Sequence, residues 1–113
     1  MKISKELAKG SNALIVLSVL ARNDMYGYQI IKTIENMSED VFVMNEGTLY
    51  PILHALEQEE CLTSYWCEAE GRRRKYYKIT EKGLKRFSEK EKEWRVFSSA
   101  VGKVLGGAEI VRV

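Results

Sequence analysis

Four cations in a row, Arg72, Arg73, Arg74 and Lys75, are followed at once by Tyr76 and Tyr77. Long cations are almost never buried unpaired. Clustered on a surface they displace condensed counterions from a phosphate backbone, with a neighbouring tyrosine free to stack or hydrogen-bond beside them. A second group, Gly47, Thr48, Tyr50 and Pro51, sets small and hydroxylated residues just ahead of an apolar stripe, with His54 following on the polar side. Bond-making chemistry has less support. The chain holds one histidine and no glycine-rich phosphate loop, and no pair of carboxylates falls in an apolar setting, so no enzyme is expected. His54, Cys61 and Cys67 would supply three metal ligands without a fourth, and the cysteines fit neither the CxxC redox spacing nor a paired CxxC zinc layout; no metal or other cofactor is expected.

Something must position the two groups. The chain has 113 residues, 45% apolar and 30% charged, with a single proline, which suits one compact domain with its own core. Net charge is +2, but residues 72–86 carry eight cations against Glu81, so the basic character is local and the remainder is net acidic. Lys2, Lys5 and Lys9 ahead of Ala13–Ala21 loosely mimic a secretion signal. Glu6 within that lead and the helical continuation argue against it, and nine residues are too few to span a bilayer. A cytoplasmic protein with no membrane partner is expected.

A first helix is expected over Lys5–Arg22, apolar on nearly all sides from Ala13 onward. Asp24 is the expected N-cap of a second, with Gly27, Ile30, Ile31, Ile34 and Met37 at helical spacing. Val41–Met44 reads as an extended link. In a third helix Leu49, Ile52, Leu53 and Leu56 share the apolar face, and Pro51 is tolerated only near the start. Either Thr48 caps this helix or Asn45 does, with Gly47 relieving the crowding of the proline ring. Leu62–Ala69 and Arg74–Thr80 alternate with period two around Gly71 and read as a β-hairpin. Thr80 then caps a long last helix with a heptad seam of Leu84, Phe87, Glu91, Trp94, Ser98, Val101 and Leu105, widened by Phe97 and Val104. Such a stripe exceeds what a lone terminal helix can cover. The order is that of a winged helix-turn-helix: mainly α with a small β-hairpin, plus a long C-terminal helix. Residues 1–80 form the winged domain, 81–107 the helix and 108–113 a tail.

In a helix-turn-helix the second helix of the pair enters the major groove with its N-terminal residues foremost. Gly47, Thr48 and Tyr50 at that exposed end then stand near DNA, His54 on the polar side meets either DNA or water, and the hairpin cations lie along the phosphates. A winged-helix module that binds only protein is the rival reading.

The stretches "EGTLYPILHALEQEECL" and "EGRRRKYYKITEKGLKRF", with "YGYQI" at Tyr26–Ile30, make the chain resemble the PadR (phenolic acid decarboxylase repressor) family of bacterial transcriptional regulators, over Ser11 to about Leu105. The resemblance implies a homodimer on a palindromic operator, usually as a repressor, paired through a single C-terminal helix. It places Thr48, Tyr50 and Pro51 on the recognition helix, Tyr26 and Gly27 near the DNA backbone, and Arg72, Arg73, Arg74 and Lys75 on the wing. The dimer interface would draw on Leu14 and Leu17 as well as the seam and Phe97. It also implies, in some members, a small flat aromatic effector between the C-terminal helices, here against Trp94; a heptad tryptophan as plain interface core is the other reading.

Overall fold

The computed structural model describes Met1 and residues 3–106. The elements run α1 (Lys5–Lys9), α2 (Asn12–Leu20), β1 (Met25–Tyr26), α3 (Gly27–Met37), α4 (Glu46–Gln58), β2 (Leu62–Ala69), β3 (Arg72–Ile79) and α5 (Glu81–Val104). This is mainly helical, with a three-stranded antiparallel sheet in the order β1-β3-β2. The tail at 108–113 lies outside the described residues.

The helix expected over Lys5–Arg22 is two helices. Gly10 closes α1, and Ser11 and Asn12, residues that compete with helix by local hydrogen bonding, restart the chain as α2. α1 buries no residue. α2 buries Val16, Leu17, Val19 and Leu20, as a helix apolar all round must. Asp24 does not cap α3. Met25 and Tyr26 pair instead with Tyr77 and Tyr76 of β3, so the helix starts at Gly27, with the Gln29 side chain accepting from the Tyr26 N–H at 3.2 Å.

At α4 the cap is Asn45, whose Oδ1 accepts from the Thr48 N–H at 2.9 Å. Pro51 therefore lies inside the helix, and the carbonyl its ring crowds belongs to exposed Gly47. Leu49, Leu53 and Leu56 face the core with Val16, Leu17, Leu20, Ile30, Cys61 and Tyr77. The hairpin turns on Glu70 (φ 53°) and Gly71 (φ 74°), both left-handed as a two-residue type I′ turn requires. Ala69 pairs with Arg72, so the second strand starts two residues earlier than expected and all four cations are strand residues.

Thr80 joins three elements. Its N–H donates to the Cys61 carbonyl (3.0 Å) and its hydroxyl donates to the Glu60 carbonyl (2.8 Å), both just beyond α4, while Oγ1 accepts from the Gly83 N–H (3.0 Å) at the start of α5. Arg86 of α5 adds an ion pair with Glu59. Gly83 is buried against the Cys61 carbonyl, where no side chain fits.

Candidate nucleic-acid interface

The strand register sorts the wing residues by face. Tyr77 and Ile79 point into the core, so Arg73 and Lys75 lie on the same side and Arg72, Arg74 and Tyr76 on the other. Trp66, opposite Lys75, continues the inner face beyond the core. There the Arg73 guanidinium sits 5.2 Å from the Trp66 ring centroid and the Lys75 ammonium 5.5 Å from that of Tyr77. On the outer face Arg74 lies 4.3 Å over the Tyr26 ring. Its Nε is enclosed without a hydrogen-bond partner.

Among the described residues none of Arg72, Arg73, Arg74 and Lys75 makes an ion pair; the pairs formed are Lys32–Glu35, Arg86–Glu59 and Arg95–Glu91. Even Glu68, opposite Arg73 in the ladder, makes none with it. The wing charge is thus not neutralised by an acid among the described residues.

Beside the wing runs a groove of about 470 Å³, lined by Tyr26 and Gly27 at the start of α3, by Glu46, Tyr50 and His54 of α4, and by Trp66, Arg74 and Lys75 of the hairpin. Tyr50 and His54, one turn apart, have ring centroids separated by 6.4 Å. Gly27 lets α4 come close: a Cβ there would stand 2.5 Å from the Tyr50 Oη. Six of the ten residues expected at DNA therefore share this groove. Thr48 does not. It lines a separate cleft with Lys5, Lys9 and Asn12, on the α1 side of α4. Pro51 is exposed on α4, and Arg72 and Arg73 are exposed in β3.

Trp66, Glu46 and Tyr28 also line the groove and were not expected there. The pairing of residues 66 and 75 follows once the two-residue turn is known, and that turn carried the available signal. Asp24 and Tyr65 were missed as well: the Tyr65 hydroxyl donates to the Asp24 carboxylate at 2.6 Å, and this bond pushes the phenol up to about 12.

Along α5 the seam divides. Phe87 packs against the core of its own chain, and Glu91 accepts from Arg95 at 3.3 Å. Leu84, Trp94, Phe97, Val101 and Leu105 are exposed, Phe97 by 63%, and Ser98 is half-buried. Leu14, Trp94 and Phe97 line a cleft of about 730 Å³ with Leu7 of α1. Leu17 needs correction. It is wholly buried inside its own subunit, because α2 is enclosed on that side, and has no surface to offer a partner. Among the described residues no helix is long and apolar enough to cross a membrane.

Four helices, α1–α4, a three-stranded sheet with a basic wing and a long last helix define a winged helix-turn-helix of the transcriptional-regulator class. Residues 16–89 match the Transcriptional regulator PadR-like family, and the chain belongs to that family. It is similar to a transcriptional regulator from Clostridium thermocellum of solved structure (TM-score 0.81, 35% identity, covering 88% of this chain and 97% of that one). A PadR family transcriptional regulator from Eggerthella lenta aligns with a TM-score of 0.78 at 36% identity, over 88% of this chain and 86% of that one. The transcriptional regulator YqjI of Escherichia coli K12 is 32% identical over 85% of this chain, a match spanning 47% of that longer relative.

Proposed function

We propose that the protein is a homodimeric, sequence-specific DNA-binding repressor and not an enzyme. In this reading α4 enters the major groove with Tyr50 and His54 near base edges, the wing cations lie on the phosphate backbone, and α5 pairs with its counterpart in a second copy. One observation carries it: of four wing cations without an acidic partner among the described residues, Arg74 and Lys75 share one groove with Tyr50 and His54 of α4. Exposed Trp94, Phe97 and Val101 suit the pairing of α5 helices. A dimer on a palindrome would hold its half-sites about 34–36 Å apart. Pairing would also cover the cleft beside Trp94, where a flat aromatic effector could stack. The protein would act in the cytoplasm, where bacterial DNA is.

Duplexes selected from a random or genomic pool supply the operator, and fluorescence anisotropy across a salt series supplies the test. Affinity should fall steeply with ionic strength, and Arg73→Ala should reduce the slope of log affinity against log salt by about one. Tyr50→Ala should lower discrimination between the selected and a scrambled duplex. No enrichment and no binding at low salt would favour a protein-interaction module instead.

A further inference from the structure

The outer face of the wing carries an arrangement that neither core packing nor base contact explains. β1 is two residues long, and so short a strand has little hold of its own. A run of side chains secures it. Tyr65 of β2 reaches across β3 to donate its O–H to Asp24, the residue just ahead of β1. Its ring lies stacked on Tyr76 of β3, with centroids 5.7 Å apart and planes 13° from parallel. Tyr76 in turn meets Tyr26 of β1 edge-on at 5.4 Å and 73°. Arg74 closes the series with its guanidinium 4.3 Å over the Tyr26 ring.

These rings lie on the side of the sheet opposite Tyr77 and Ile79, and Tyr65 is 41% exposed, so the series is not part of the core. Its far end is a cation that no acid neutralises among the described residues. With Nε enclosed and unpartnered, the terminal guanidinium nitrogens are the donors left to Arg74. An arginine already stacked in place loses less rotamer freedom when it meets a phosphate than one that waves in solvent.

We infer that Tyr65, Tyr76 and Asp24 are positioning residues that hold the Tyr26 platform, and through it preset Arg74, for a backbone phosphate of the bound duplex. The inference rests on the DNA-binding reading above. A phosphate contact carries no sequence information, so the ladder acts on affinity for any duplex and leaves discrimination alone.

The test is a double-mutant cycle in the full-length chain, read by anisotropy on the selected duplex and on a scrambled one, with thermal melts confirming that each variant folds. Tyr65→Phe keeps the ring and removes the bond to Asp24. It should weaken both duplexes equally, by about three- to tenfold. Combined with Arg74→Ala it should add nothing to the loss from Arg74→Ala alone. Asp24→Asn, which keeps an oxygen to accept from Tyr65, should bind better than Asp24→Ala. Full additivity in the cycle, or wild-type affinity in Tyr65→Phe, would overturn the positioning role while the DNA-binding reading stands. Failure of the wild-type protein to bind either duplex would overturn both.

Discussion

Gly27→Ala tests how the start of α3 shapes the reading surface of α4. The new Cβ would stand 2.5 Å from the Tyr50 Oη and 3.1 Å from its Cζ. Ordinary contact begins at 3.4 Å, so the ring tip must retreat by about 0.9 Å. Tyr50 is 36% exposed, and its ring has solvent to move into. The fold should therefore survive. Recognition should not. If the Tyr50 hydroxyl reads a base edge, as proposed, misplacing it forfeits that contact, a loss of ~1–3 kcal/mol in discrimination, or about 5- to 150-fold. Competition anisotropy with selected and scrambled duplexes measures it, and a thermal melt shows whether the domain is intact. Gly27→Ala combined with Tyr50→Phe removes the colliding atom and should discriminate no worse than Tyr50→Phe alone. Wild-type discrimination in a folded Gly27→Ala protein would refute the reasoning, because the displaced group would then have no part in reading sequence.

Leu17→Ala should cost about 2–5 kcal/mol in urea denaturation, the usual range for a buried leucine, without altering self-association. Val101→Asp, on the exposed part of α5, should instead give monomers by sedimentation at micromolar concentration. Gly83→Ala should destabilise by about 1–3 kcal/mol or more, since its Cβ would meet the Cys61 backbone carbonyl, which cannot swing aside, and Ile79 Cγ1 at 2.7 Å; a melt unchanged from wild type would contradict this. The Tyr65 phenol, held at about 12 against an ordinary 10, favours its neutral form in the folded state. Its contribution to stability is thus complete below pH 10 and is lost as pH rises toward 12. Burial raises the Tyr77 phenol as well, so tyrosinate absorbance should show one fewer late-ionising group in Tyr65→Phe than in the wild type.

Elements with a strong local signature were legible in the sequence. The apolar face of α4, the glycine of the hairpin turn and the Thr80 cap each follow from neighbours a few residues apart, and each is present. Features set by distant partners were not. β1 is too short to show a period of two, and its pairing depends on Tyr76 and Tyr77, some fifty residues away. The apolar run after Ala13 hid the break at Gly10. Leu17 was misassigned because a helix apolar on every side gives no hint whether a given side meets its own subunit or another. Of the groove, the residue types were readable but not the grouping: Thr48 turns toward Lys5 and Lys9 while Trp66 joins Tyr50, and both outcomes depend on how α1 and the hairpin flank α4.

The triple attachment at Thr80 bears on how a signal could travel. In the proposed dimer, because one side chain and its amide clamp the end of α4, the exit of β3 and the root of α5 together, arm and reading head would turn as a single lever. α5 has 24 residues and reaches about 36 Å, so a tilt of about 5° where two arms cross swings the opposite end by about 3 Å. That is close to the rise of one base pair, and in such a dimer it would slide a docked helix out of step with its half-site.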